Sequence, residues 1–162
     1  MGGFFGVASN DDCVSDLFFG TDYHSHLGTM RGGMAVSNSK GITRYIHDIT
    51  NAQFRTKFDQ DIQKLHGNLG IGVISDYEDQ PLLIGSHLGT FAIVTVGKIN
   101  NDAALADQAF KNSGTHFSEM SSIGYNPTEL VAALITREKS FEDGIRSAQE
   151  AIDGSCSILL MT

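Results

Sequence analysis

Met1-Gly2-Gly3-Phe4-Phe5-Gly6-Val7 opens the chain as an apolar, glycine-laced run that begins at the terminus itself. Chain ends are ordinarily polar and frayed. This one predicts a strand over residues 3–8, laid into a sheet from the start, with Gly3 and Gly6 permitting close approach of another backbone. Fold and chemistry both turn on what stands at position 2.

Outward from that strand, Ser9-Asn10-Asp11-Asp12 supplies turn and N-cap chemistry. Val14, Leu17, Phe18 and Leu27 then recur with helical spacing, interrupted by Gly20. After Arg31-Gly32-Gly33, residues 34–37 and 42–47 flank the turn Asn38-Ser39-Lys40-Gly41 and read as a hairpin. Phe54, Phe58, Ile62 and Leu65 predict an amphipathic helix from Asn51 to His66, with Gly67 as its closing C′ residue. Residues 68–75, 82–84 and 91–96 follow as neighbouring strands joined by short turns, the pattern of an antiparallel sheet. The acidic group Asp76, Glu78 and Asp79 between them reads as a solvated turn.

A helix capped by Asn101 or Asp102 covers 103–111, and the polar stretch 112–125 reads as a long, mobile loop. Asn126-Pro127-Thr128-Glu129 is a helix start with proline at the first helical position and glutamate at the third. A last helix opens at Ser140-Phe141-Glu142-Asp143, runs to Asp153 and is closed by Gly154. The apolar strand 157–162 has no return partner in the sequence, which suggests a longer natural polypeptide. Strands and helices without regular β-α alternation point to one layered α+β domain over residues 1–162, with no repeat or interior linker.

Composition agrees. The 162 residues are 41% apolar and 19% charged, with 18 glycines and two prolines, a folded domain rich in tight turns. A formal charge of -8 argues against a sequence-independent grip on nucleic acid. No apolar run is long enough to span a membrane and no basic signal-peptide start precedes one, so the expected location is cytoplasmic. Cys13 and Cys156 form no C-x-x-C pair and read as reduced thiols. His24-Ser25-His26 is the one histidine pair at close spacing. On a helix its side chains point apart, and neither a metal nor a cofactor is expected in this domain.

Several segments together carry a resemblance. They are Gly3-Phe4-Phe5-Gly6-Val7, Leu27-Gly28-Thr29-Met30-Arg31-Gly32-Gly33, Gly67-Asn68-Leu69-Gly70-Ile71-Gly72 with Gln80-Pro81, Val96-Gly97-Lys98-Ile99-Asn100-Asn101, Thr128-Glu129, and the closing residues 154–162. In order and spacing the chain resembles the N-terminal glutaminase domain of the glutamine phosphoribosylpyrophosphate amidotransferases, a class II glutamine amidotransferase family of purine nucleotide biosynthesis. The resemblance implies a four-layer αββα sandwich of two antiparallel sheets, of N-terminal-nucleophile hydrolase type. It also implies a phosphoribosyltransferase domain downstream and a homo-oligomeric full-length protein.

In that family a cysteine exposed by removal of the initiator methionine attacks the glutamine amide, with its own amine as base. An asparagine and a glycine N–H form the oxyanion hole, and an arginine and an aspartate hold the substrate's charged ends. Carried onto this sequence, the nucleophile falls on Gly2, the arginine on Ser75, the oxyanion asparagine on Val96 and the aspartate on Pro127. The oxyanion glycine is retained as Gly97, and Thr128 as the pocket threonine. Arg31 and Gly32 match a mainly structural motif. The expectation is a glutaminase-like domain without glutaminase activity, structural or regulatory in role. Two alternatives stand beside it: an amidohydrolase with a relocated nucleophile, Cys13 or Ser75, and a module binding a small metabolite in the old glutamine pocket.

Overall fold

The computed structural model describes every residue except Met1, Thr29, 114–116 and 122–123, and gives the backbone alone at 112, 113, 120 and 121. Along the chain run β1 (Gly3–Ala8), α1 (Val14–Tyr23), β2 (Arg31–Asn38), β3 (Gly41–Asp48), α2 (Phe54–Phe58), β4 (Leu69–Ser75) and β5 (Leu82–Ser86). Then come β6 (Gly89–Ile99), α3 (Asp102–Ser113), β7 (Met120–Ser121), β8 (Gly124–Tyr125), α4 (Pro127–Ile135), α5 (Phe141–Ala151) and β9 (Gly154–Met161).

The opening run is a strand, as its composition demands. β1 pairs antiparallel with β4 from Gly3 opposite Ile74 to Ala8 opposite Leu69. On its other side β4 pairs with β2, which turns through Ser39-Lys40 into β3, giving the order β1-β4-β2-β3. The second sheet, β5-β6-β9, is antiparallel throughout.

Period-two alternation sorts side chains between layers. Ala35, Ile71, Val73, Ala92, Val94 and Met161 form the cluster between the two sheets. Val36 and Ile74 turn the other way, against Leu17 and Phe18 of α1 and Phe54 and Phe58 of α2. Beyond the second sheet, Leu82, Phe91 and Ile93 pack on Leu130, Leu134, Ile135 and Ala148 of α4 and α5. The result is the four-layer αββα sandwich. Each fully buried Leu, Ile or Phe contributes on the order of 1.5–3 kcal/mol.

The structure departs from the sequence reading at six places. The helix expected over 51–66 is only α2, followed by separate turns such as Ile62 N–H to Phe58 O and Leu65 N–H to Asp61 O. Its apolar spacing holds, with Phe54, Phe58 and Leu65 buried, but the Asp61 carboxylate is drawn onto His47 Nε2 at 2.5 Å. Gly67 closes no helix. Its N–H donates to Asp12 and its carbonyl accepts from Cys13 N–H, stitching the start of β4 to α1. Strands β4 and β5 are sequence neighbours in different sheets, because Pro81 follows a turn that carries the chain across the sandwich. Leu27 lies beyond α1 and is exposed. The stretch read as a loop over 112–125 holds the end of α3 and the β7–β8 pair, its residues 114–116 and 122–123 lying outside those described. Gly154 opens β9 at φ 127° instead of closing α5.

Candidate functional site

Three elements run out at one end of the sandwich: the start of β1, the end of β4, and β6 where it pairs with β9. Gly3 pairs with Ile74, so Gly2 lies beside the last residues of β4. Gly97 lies opposite Cys156 in the β6–β9 ladder. Between these strands and the loop 76–80 is a cavity of about 250 Å³. Gly2, Ser75, Val96, Gly97 and Pro127, scattered through the sequence, all line it.

Each of these positions is shaped by its local backbone. A Cβ built on Gly2 would lie 2.2 Å from the Ile74 carbonyl oxygen, far inside contact distance. Backbone fills the space that a side chain at position 2 needs. Gly97 has φ 155°, and a Cβ there would lie 2.0 Å from Ser155 O, so the ladder beneath the cavity accepts only glycine. Ser75 is buried and gives its hydroxyl proton to the Glu78 carbonyl at 2.6 Å. Val96 packs into the inter-sheet cluster. Pro127 begins α4 behind the N-cap Asn126, whose side-chain oxygen accepts from Thr128 N–H.

Thr128 stands behind the wall, fully buried, its Oγ1 2.6 Å from that of Thr95, which does line the cavity. Arg31 lies outside it, bound to Asp48 at 2.6 Å and Asp79 at 2.9 Å, and Gly32 sits under the Phe54 ring. The Asp48 carboxyl is held at about 2 by hydrogen bonds from Thr50 and then from Arg31.

The sequence did not foretell the rest of the lining. The acidic run read as a solvated turn forms a wall, with Asp76, Tyr77 and Glu78 facing Lys98, Asp102 and Cys156. Glu78 foremost, then burial, Asp76 and Asp102, push the Tyr77 hydroxyl above its usual range. Burial pushes the Cys156 thiol up to about 11, so it is protonated at neutral pH and a poor nucleophile. Only the β6–β9 register brings Cys156 here, and no spacing in the sequence announces that.

Cys13 is elsewhere. It is wholly buried in the α1 core, its thiol raised first by burial and then by Asp12, and it is not among the cavity residues. Ser75 is in the cavity, but among the described residues no histidine lines it to act as base. His24 and His26 flank Tyr23 at ring distances of 5.6 and 6.0 Å. Among the described residues, no three His, Cys, Asp or Glu side chains converge as a metal set, and no helix is long and apolar enough to cross a membrane.

No protein-family model matches the sequence, and a search of curated proteins found no match. Solved structures do match. One is described as the glutamine phosphoribosylpyrophosphate amidotransferase from B. subtilis complexed with ADP and GMP; the likeness covers 100% of this chain and 35% of that one, at TM-score 0.83 and 24% identity. Another, described as the allosteric regulatory enzyme of purine biosynthesis, matches 99% of this chain and 35% of its own at TM-score 0.84 and 22% identity. The chain thus spans 35% of the length of either structure. At these identities the likeness is one of fold: the chain folds as the class II glutamine amidotransferase domain of glutamine phosphoribosylpyrophosphate amidotransferase does.

Proposed function

We propose that this is a glutaminase-fold domain that does not hydrolyse glutamine and serves a structural or regulatory role beside a phosphoribosyltransferase domain, in a purine-synthesising protein that takes its ammonia from elsewhere. The observation that carries the reading is position 2. Gly2 offers no side chain, and Ile74 O stands where a Cβ would go. Around it, the residues at 75, 96 and 127 supply no guanidinium, amide or carboxylate, so the family's two clamps on the substrate and its side-chain half of the oxyanion hole are missing from those positions. A fold can persist while the chemistry it once carried is gone.

Homo-oligomeric assembly and a cytoplasmic location belong to the same proposal, with neither nucleic acid nor membrane as partner. The test is glutamate release from glutamine by the purified protein, with labelling of its N-terminus by a glutamine-mimicking electrophile. Neither signal is expected. Turnover that disappears when residues beside Gly2 are altered overturns the reading.

A second reading has its own support, because the cavity is open rather than filled. Among the described residues its wall carries Asp76, Glu78 and Asp102 against Lys98, a poor seat for an amino-acid carboxylate. A thermal-shift screen of small metabolites separates the two readings: a stabilising compound favours a binding module, and a flat screen favours a scaffold.

A further inference from the structure

A helix lying on a sheet ordinarily turns a polar face to water, and α1 does not. Val14, Leu17, Phe18 and Thr21 are its buried residues. On the opposite side Phe19 is 58% exposed and Tyr23 75%. Asp16, Phe19 and Tyr23 stand three and four residues apart and form one stripe along that face. Arg55 of α2 lies over the Phe19 ring, its Cζ 5.7 Å from the centroid, and its Nε donates to Asp22 at 2.7 Å. Held from two sides, the Arg55 side chain still keeps 61% of its surface exposed. Exposed aromatic rings beside a fixed arginine are the residue types that carry most of the binding energy where proteins meet, and fixing the arginine beforehand lowers the cost of ordering it.

We propose that this face of α1 pairs with the same face of a second copy of the chain, about a two-fold axis at Phe19. Charge complementarity selects the occupant. Two α1 helices crossing antiparallel at Phe19 place residue 16 of each opposite residue 22 of the other, and Asp22 is the residue that holds Arg55. The partner's Asp16 then meets Arg55, and each copy gives one carboxylate and one guanidinium to the same contact, as a self-complementary interface requires. A parallel pairing sets like charges opposite each other and is excluded by their repulsion. The Phe19 rings meet at the axis with the Tyr23 rings beside them, and removing these rings from water is the main driving term. The inference rests on the homo-oligomeric assembly proposed above, to which it assigns a surface, and it involves neither the cavity nor glutamine.

Sedimentation velocity over a concentration series tests the pairing. The unaltered chain is expected to form a dimer by about 100 µM, the range of a small interface with few anchoring residues. Phe19→Ser and Asp16→Lys are each expected to raise the dissociation constant about tenfold or more. Phe110→Ser, at a ring 48% exposed on α3, should leave it unchanged. Asp16→Lys combined with Arg55→Glu reverses both charges and is expected to recover most of the affinity that Asp16→Lys loses, a rescue that local damage to α1 does not produce. A dimer untouched by both single α1 changes overturns the proposed surface and leaves the assembly reading standing. Equal losses from Phe110→Ser and Phe19→Ser overturn it as well. A monomer at every concentration overturns both, and leaves the α1 face to a different partner. Glutamate release bears on the silent-domain reading alone, so the readings fail by different signals.

Discussion

A cysteine at position 2 places its Cβ 2.2 Å from Ile74 O, so Gly2→Cys meets backbone before it meets any substrate. The substitution is expected to yield no glutaminase and to cost about 1–3 kcal/mol as the start of β1 is pushed from β4, measured by denaturant unfolding beside a glutamate assay. Thr95 and Thr128 share one buried hydroxyl contact at 2.6 Å. Thr128→Val leaves the Thr95 hydroxyl without that partner and is expected to cost about 1–3 kcal/mol, and the double change to valine less than the sum of the singles. Asp48 titrates at about 2 against a model-compound 3.8, so its folded pKa is depressed. Its contribution is therefore present above about 3.8 and is lost as pH falls toward about 2. Carboxyl-carbon NMR should give that low midpoint, and Asp48→Asn should flatten this part of the acid limb of stability. A midpoint near 3.8 removes the argument.

At the scale of elements, α4 joins the cavity to the rest of the second sheet. Its Asn126 caps it, and its Glu129 carboxylate, 9% exposed, accepts from Ser118 N–H, Ser118 Oγ and Glu119 N–H. Glu129→Ala strips those partners, and limited proteolysis should then cut near 118–119 before it cuts elsewhere. This helix was legible in the sequence because its signals are local: an N-cap, a proline and an apolar stripe. The β2–β3 hairpin was legible for the same reason. The 51–66 segment was misread because the His47–Asp61 pair, an interaction between distant residues, competes with the 3.6-residue period. The strand partners of β4 and β5 were not legible either, since pairing is decided by which faces meet and adjacency in sequence does not report that. For the candidate site, Gly2, Ser75, Val96, Gly97 and Pro127 were found through family resemblance, whereas Lys98, Asp102 and Cys156 needed the register of β6 with β9.

Taken whole, the described residues form three apolar clusters stacked across four layers, and the two sheets share the middle one. Val94, fully buried, belongs to that shared cluster. Val94→Ala is expected to lower the stability of both halves together by roughly 1–3 kcal/mol, with coincident transitions for probes on α1 and α5. Separate transitions would show two independent units. The sandwich also has an asymmetric outline. β1 is an edge of one sheet and β9 an edge of the other, and a groove of about 550 Å³ runs between them. Neither strand carries a charged residue or a proline, so neither has the usual guard against strand addition. The charge of -8 carried on other faces, with a sequence pI near 5.0, opposes unguided strand addition between copies at neutral pH. Colloidal behaviour therefore follows from strand order: near pH 5 or in high salt the repulsion fades, and self-association should begin along this one flank.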